Sequence, residues 1–209
     1  MPENERMYIS YNNIHKLCQT VARHILDRDE RPDVIIAITG GGMIPARIIR
    51  SFLKNKGQKN IPIQAIGLSL YEDLGLDNGA ESIGKEVVRT QWLDFGALNQ
   101  HFDSLIGKRV LIVDEVDDTR TTLYYAVSEL EKEIAEQQII LNRKNEETVF
   151  SIFVLHNKDK PKRAALPDSM MNSGRYIAAQ TVPDGWLCYP WDAEDIEEHT
   201  VLAKAQGND

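Results

Sequence analysis

Short apolar runs alternate with amphipathic segments along most of this chain. Residues 34–38 (VIIAI) and 110–113 (VLIV) are apolar at every position, and most of them are β-branched. Such runs are typical of parallel strands that are buried on both faces. Residues 61–68 and 149–155 are further strand candidates. The chain therefore predicts a set of central, buried strands.

Amphipathic segments separate these strands. Ser10 is placed as an N-cap, and the apolar residues after it recur on one helical face: Ile14, Leu17, Cys18, Val21 and Ile25. We expect this helix to stop near Pro32, because the residue before proline avoids helical geometry. Two more helices are predicted over residues 44–55 and 121–142. Residues 69–103 are polar and mixed in period, which predicts a long functional loop.

Two shorter strand-like segments lie near residues 176–181 and 186–189. Strands that alternate with helices predict an α/β protein with a mostly parallel sheet flanked by helices. A chain of 209 residues is long enough to bury a full core, and we expect one domain.

Composition narrows the classes of partner. The chain has 24 Lys and Arg against 32 Asp and Glu, a net charge of −8, which argues against a nucleic-acid surface. Cys18 and Cys188 lack metal-type spacing, and we expect two reduced thiols. No signal peptide or long apolar run is visible, so we expect a cytoplasmic protein without a membrane segment.

Four carboxylates crowd into five positions directly after residues 110–113. These are Asp114, Glu115, Asp117 and Asp118. Ligands of parallel sheets bind at the carboxyl ends of strands. Neighbouring carboxylates are costly there unless a cation or sugar hydroxyl groups compensate them, and Mg²⁺ prefers oxygen ligands of this kind. An acidic helix start that only complements the helix dipole is the alternative.

A hydroxyl-rich turn follows the acids. Thr119, Thr121 and Thr122 precede or open the predicted helix, whose first N–H groups are free to bind a phosphate monoester. One strand, loop and helix thus offer a metal and diol end beside a phosphate end. A ribose 5-phosphate has both features.

Residues 110–123 resemble the phosphoribosyl-pyrophosphate (PRPP) signature of the type I phosphoribosyltransferases. The resemblance implies that family's twisted, mostly parallel sheet, with a core over about residues 32–157. A small hood would come from about residues 1–31 and 158–209. It also implies Mg²⁺ as cofactor, with Asp114 and Glu115 holding it or the ribose hydroxyls. The implied PRPP-binding set is Asp114, Glu115, Asp118, Thr119, Arg120, Thr121 and Thr122.

The resemblance assigns further roles. Asp118 would act as general base at the purine N7. Many members have glycine where Arg120 stands, which leaves the backbone path there open. Residues 39–42 (TGGG) would form the pyrophosphate loop at Thr39, Gly40 and Gly41, with a non-proline cis peptide between Thr39 and Gly40. Many relatives carry Arg or Lys at the Gly40 position, so a basic contact would come from elsewhere.

The lid and the purine site are implied in the same way. Ser69 and Tyr71 would begin the mobile lid that excludes water, and a plain strand end is the alternative. The order of residues in 186–192 resembles the hood of the bacterial purine enzymes of this family. It implies stacking by Trp186, backbone contacts from Leu187 and an accessory role for Asp192, although tryptophans here could also be core residues. Lys158, or alternatively His156, would meet the purine 6-oxo group, and the permanent charge of Lys158 favours it.

The expected function is transfer of the phosphoribosyl group from PRPP to a 6-oxopurine. The similarity covers nearly the whole chain and is greatest to the fungal purine enzymes of the family, and residues 69–102 favour xanthine over hypoxanthine and guanine. A homodimer is expected because relatives are dimers or tetramers. A PRPP-sensing regulator on the same fold is the alternative of another class, but no basic face or winged helix is visible. A pyrimidine or adenine transferase fits residues 186–192 less well.

Overall fold

The computed structural model describes residues 6–54, 57–71, 86–101 and 104–209. Within these ranges the chain forms a six-stranded sheet and a separate two-stranded sheet. The strands are β1 (Arg6–Tyr8), β2 (Val34–Ile38), β3 (Ile63–Tyr71), β4 (Glu86–Gln91), β5 (Arg109–Asp117), β6 (Val149–Asp159), β7 (Tyr176–Pro183) and β8 (Trp186–Cys188). The helices are α1 (Tyr11–Asp27), α2 (Met43–Phe52), α3 (Phe95–His101), α4 (Thr121–Ile140), α5 (Asp168–Asn172) and α6 (Ile196–Ala205), with a 3₁₀ turn at Pro190–Asp192.

The large sheet has the strand order β4-β3-β2-β5-β6-β7. All neighbouring strands are parallel except β4, which runs antiparallel to β3 at one edge. Every residue of β2 is buried, as its uninterrupted apolar run predicts. The prediction of an α/β fold with a mostly parallel sheet is therefore confirmed.

Helices cover both faces of this sheet. On one face, α1 and α2 pack on the apolar side chains of β2, β5 and β6. On the other face, α4 presents its buried residues, among them Leu123, Val127 and Leu130, to a second core cluster. Because both faces are covered, the central strands carry almost no polar residues until they reach the edge where β5 and β6 end.

The start of helix α1 is determined by a capping residue that the sequence predicts. The Ser10 hydroxyl accepts a hydrogen bond from the N–H of Asn13 at 3.0 Å, which confirms the predicted N-cap. The helix ends at Asp27, ahead of Pro32, so the proline does not terminate it. The two thiols are free, as expected, and Cys18 lies on the buried face of this helix.

Two elements that the sequence analysis assigned to the hood pack with the core of the large sheet. Strand β7 lies in the region assigned to the hood, yet it pairs with β6 in the large sheet. Helix α1 was also assigned to the hood, but its apolar face belongs to the core beneath β2. Outside the large sheet, β1 pairs with β8, followed by the 3₁₀ turn and α6. We use the word hood for these elements only.

Two strands run further than their apolar patterns predict. β5 continues through the acids to Asp117, and β6 continues to Asp159. The extensions hold each other in register, since Val116 pairs with His156 and Asp117 with Asn157. Within residues 69–103, which the pattern assigned to a loop, the structure has the end of β3, strand β4 and helix α3.

His156 is a core residue of the extended β6. Its ring is 0% exposed, and Nδ1 lies 2.8 Å from the hydroxyl oxygen of Tyr189. Burial lowers the pKa of His156 from 6.5 to about 4, because the charged ring would lose its hydration there. The folded protein therefore holds this histidine neutral.

We expect His156 to make the fold less stable in acid. Between pH 6.5 and about 4 the unfolded chain binds a proton that the folded chain does not. The contribution is complete above that window and is lost as the pH falls through it, by about 2 kcal/mol between about pH 7.5 and about pH 5. Urea unfolding of the parent and of His156→Gln at both pH values measures the difference. Equal pH slopes in the two proteins would contradict the assignment.

Candidate active site

A cavity of about 250 Å³ opens where β2 and β5 end. This is the edge of a parallel sheet at which ligands bind. The sequence-predicted residues that line the cavity are Thr39, Gly40, Gly41, Asp114, Glu115, Asp118, Thr119, Arg120 and Thr122. The structure thus brings the glycine loop, the acids and the threonine turn to one place.

The glycine loop needs its glycines for two different reasons. A Cβ on Gly41 would lie 1.5 Å from Oε2 of Glu115, and one on Gly42 would lie 2.4 Å from the carbonyl oxygen of Val113. Gly40 has a φ of +94°, which favours glycine. Among the described residues no peptide bond is cis, so the cis peptide expected between Thr39 and Gly40 is not found. The positive φ of Gly40 makes the turn instead.

Within the described ranges, Asp117 and Asp118 form salt bridges with basic side chains, whereas Asp114 and Glu115 form none. Burial, with the neighbouring acids, raises the pKa of Asp114 to about 8, although Oδ1 accepts the N–H of Glu115 at 2.8 Å. Burial raises the pKa of Glu115 to about 7; the charge of Asp192 adds to this, and a hydrogen bond from Trp191 opposes it. Oε2 of Glu115 is buried and has no hydrogen-bond partner among the residues that the structure describes. Both carboxylates would be stabilised by a cation or by hydroxyl donors.

Asp117 has a different role from its neighbours. It is 1% exposed, and its Oδ2 accepts hydrogen bonds from Arg120 Nε at 2.9 Å and from the Tyr176 hydroxyl at 2.6 Å. Lys162 lies 3.7 Å from the other oxygen. This carboxylate holds the end of β5 to β7 and to the loop. Sequence reasoning grouped it with the ligand-binding acids and missed these contacts.

Arg120 occupies the position where many family members have glycine. Its φ is 68°, a left-handed conformation that costs a non-glycine residue about 1 kcal/mol. The side chain is held by Asp117 and lies over the Tyr176 ring at 4.7 Å from its centroid. These contacts offset the backbone cost and engage the guanidinium within the protein. The Arg120 backbone opens α4, where a phosphate would bind.

The threonine turn leads directly into α4. The hydroxyl oxygens of Thr119 and Thr121 are 3.0 Å apart and share a hydrogen bond. Thr119 and Thr122 line the cavity, and the helix begins at Thr121. The first N–H groups of a helix are free to bind an anion, so the turn has the donors that the phosphate prediction requires.

Asp118 belongs to a cluster of two lysines and two aspartates. Its Oδ1 lies 2.6 Å from Lys160 and 3.4 Å from Lys158, and both lysines also approach Asp184, at 3.0 Å and 3.7 Å. Partial burial alone would raise the pKa of Asp118, but the bond from Lys160 and the charge of Lys158 hold it below its usual range. Asp118 is therefore an ionised carboxylate that lines the cavity and is partly exposed to solvent.

Lys162 supports this cluster through hydrogen bonds to the main chain. Its Nζ donates to the carbonyl oxygens of Asp117, Asp118 and Lys158 at 2.8 to 2.9 Å. The segment after β6 is also tied to the threonine turn, since Arg163 N–H donates to the Thr119 carbonyl at 3.0 Å. Sequence reasoning missed Lys160 and Lys162; the basic run at residues 158–163 is the signal that could have drawn attention to them.

The hood residues divide between surface and core. Trp186 is 57% exposed on β8, so it is not the core tryptophan that the alternative interpretation required. Trp191 fits that alternative better, because its ring stacks on Tyr189 with centroids 4.6 Å apart. Leu187 is partly buried beside β1. Asp192 lies close enough to Glu115 to raise its pKa.

The structure also describes the surroundings of the 6-oxo candidates and of Ser69. The His156 ring is buried, whereas the Nζ of Lys158 lies 3.4 Å from Asp118. The assignment of Lys158 to the purine 6-oxo group, with His156 as its alternative, stays a prediction. Ser69 is exposed on β3. The Tyr71 side chain, like residues 72–85 of the expected lid, lies outside the described part of the chain.

The described ranges contain no group of three or more His, Cys, Asp or Glu side chains placed to hold a metal ion. None of the helices in those ranges combines the length and apolarity that a membrane crossing requires.

Known proteins provide independent comparisons. A family model of the phosphoribosyl transferase domain matches residues 10–170. Over 209 residues, 100% of both chains, the chain is 90% identical to xanthine phosphoribosyltransferase 1 of Saccharomyces cerevisiae. It is 59% identical over 203 residues, 97% of each chain, to hypoxanthine-guanine phosphoribosyltransferase of Schizosaccharomyces pombe. A solved hypothetical protein from Neisseria gonorrhoeae with bound ppGpp is 34% identical, with a TM-score of 0.74 and 97% of each chain covered.

We expect neighbouring aspartates of the loop to differ sharply in their effect on stability. Asp117→Asn removes a buried charge from Arg120 and should lower the free energy of unfolding by about 3 kcal/mol. Asp118→Asn removes a solvent-screened charge and should lower it by less than about 1 kcal/mol. Urea unfolding of both variants makes the comparison. Similar losses would mean that the two carboxylates are not divided between support and ligand binding.

Proposed function

The chain belongs to the phosphoribosyltransferase family, and on this premise we propose that it transfers the 5-phosphoribosyl group of PRPP to a 6-oxopurine and releases pyrophosphate. Xanthine is the proposed acceptor and XMP the product. The 90% identity to the yeast xanthine enzyme supports this choice. The second candidate acceptors are hypoxanthine and guanine, giving IMP and GMP, which the 59% identity to a hypoxanthine-guanine enzyme supports. Such a reaction belongs to purine salvage.

One observation carries the proposal: two acids that form no salt bridge within the described ranges lie beside a threonine turn in a single cavity. Asp114 and Glu115 would accept hydrogen bonds from the ribose hydroxyls, and the turn from Thr119 to Thr122 would bind the 5-phosphate. As pyrophosphate leaves, the anomeric carbon becomes positive, and nearby carboxylates stabilise that charge. Thr39, Gly40 and Gly41 would face the pyrophosphate through their backbone N–H groups.

Mg²⁺ fits the acid pair. Both side chains offer oxygen atoms, and Oε2 of Glu115 is buried with no hydrogen-bond partner in the described part of the chain. Since Mg²⁺ is commonly held by one or two carboxylates together with substrate phosphates and water, a pair of acids is sufficient. When bound, the ion would neutralise charge on the pyrophosphate.

The purine would lie between the lysine and aspartate cluster and the hood. Trp186 is exposed and available to stack on the base, and the Leu187 backbone would contact its edge, with Asp192 in an accessory role. Lys158 would donate to the 6-oxo group, and Asp118 would accept the proton from N7 as N9 attacks. Ser69 and Tyr71 would begin a lid that keeps water from the ribosyl cation.

We also propose that the protein is a homodimer that acts in the cytoplasm, because its sequence resembles this family.

Purified protein with PRPP and Mg²⁺, offered each base separately, tests the function. We expect XMP to form with the highest kcat/KM on xanthine, and hypoxanthine and guanine to follow. A preference for guanine or hypoxanthine would favour the second candidate. PRPP binding without any nucleotide product from the three bases would favour a PRPP-sensing protein and overturn the proposal.

Asp118→Asn should separate proton transfer from sugar binding. If Asp118 accepts the N7 proton, kcat falls by about 10²- to 10⁴-fold, while the dissociation constant of PRPP stays nearly unchanged. Asp184→Asn is the matched control, since it removes the other carboxylate that contacts Lys158 and Lys160. Steady-state kinetics and PRPP titration give both quantities. Equal losses of kcat in the two variants would assign the effect to the ion cluster and not to proton acceptance.

A further inference from the structure

Tyr189 connects the hood to strand β5. It is 4% exposed, and its hydroxyl donates to the main-chain carbonyl of Glu115 with an oxygen separation of 3.2 Å. The residue lies between β8, which carries Trp186, and the 3₁₀ turn. A segment assigned to the purine therefore contacts the backbone of an acid assigned to the sugar.

His156 fixes the direction of this hydrogen bond. The tyrosine hydroxyl has one proton, and the Glu115 carbonyl can only accept. Both contacts are satisfied together only if His156 Nδ1 carries a proton and donates to the hydroxyl oxygen at 2.8 Å. The ring is fully buried and neutral, so one tautomer of His156 sets the orientation of the Tyr189 hydroxyl.

Trp191 lies beside the side chain of the same acid. Its indole lowers the pKa of the Glu115 carboxylate, and its ring stacks on Tyr189 at an interplanar angle of 5°. The carboxylate also lies against Gly41, where a Cβ would be 1.5 Å from Oε2. Glu115 is thus held through its main chain by Tyr189, and its carboxylate lies next to Trp191. Within the described residues, Oε2 has no hydrogen-bond partner.

We propose that Tyr189 and Trp191 are positioning residues for Glu115, so that the hood takes part in binding PRPP as well as the purine. This inference rests on the proposed role of Glu115 toward the ribose. Neither aromatic residue would touch the sugar. Each would act by fixing the acid against Gly41, with Oε2 left available to a ligand. The rival explanation is that the two rings only pack the hood.

Phenylalanine substitutions distinguish the two explanations. Tyr189→Phe and Trp191→Phe keep an aromatic ring in the stack but remove the hydroxyl and the indole N–H. We expect Trp191→Phe to raise the dissociation constant of PRPP about ten-fold, because the indole N–H that favours the charged form of Glu115 is lost, and Tyr189→Phe to raise it by a smaller factor. Calorimetric titration with PRPP and Mg²⁺ in the absence of purine measures this directly. Trp186→Ala is the hood control and should change the purine KM but not PRPP binding.

A double-mutant cycle with Glu115→Gln completes the test. If Trp191 acts through Glu115, Trp191→Phe should weaken PRPP binding little further in the Glu115→Gln background. Full additivity, or parent-like PRPP binding by both phenylalanine variants while Glu115→Gln binds weakly, would overturn the inference and leave the proposed function intact. Parent-like binding by Glu115→Gln itself would instead show that the proposed sugar role of Glu115 is wrong, and the inference would fall with it.

Discussion

The repulsion among four carboxylates at the end of β5 is the constraint on which the rest of the site depends. Two unit charges about 4 Å apart repel by about 4 kcal/mol at an effective dielectric constant of about 20. The protein reduces this repulsion by giving Asp117 and Asp118 different basic partners. Arg120 pairs with Asp117, and Lys160 pairs with Asp118. Of the four acids, Asp114 and Glu115 form no salt bridge with a described residue, so they are available to a cation or to sugar hydroxyl groups.

The pairing of β6 with β5 places the basic side chains beside these acids. Because β6 stays in register with β5 as far as Asp117 and Asn157, the basic segment after it emerges beside the acids. Lys162 then binds three carbonyl oxygens and locks that segment to the loop. The loop between β5 and α4 is thus supported by neighbours that a strand extension places there, and the left-handed Arg120 is held as part of the same arrangement.

Sequence patterns predicted what depends on local order. The apolar run at β2, the cap at Ser10 and the acid cluster at a strand end all follow from neighbouring residues, and the structure contains each of them. The extension of β5 could not be read in this way, because charged residues interrupt its apolar pattern. The separate role of Asp117 could not be predicted either. Its partner Tyr176 is 59 residues away and lies on a strand that the patterns assigned to the hood.

Long-range contacts of this kind decide how the two halves of the candidate site work together. Tyr189 reaches Glu115 across 74 residues, and its hydroxyl is oriented by His156 on a third element. A buried polar chain is stable only when each donor finds an acceptor, so these positions constrain one another even though none is close in sequence. If the acid must be confined to hold a ribose, the hood cannot be altered freely for a new base without disturbing the sugar side. Base selectivity would then be easier to change at exposed Trp186 than at buried Tyr189.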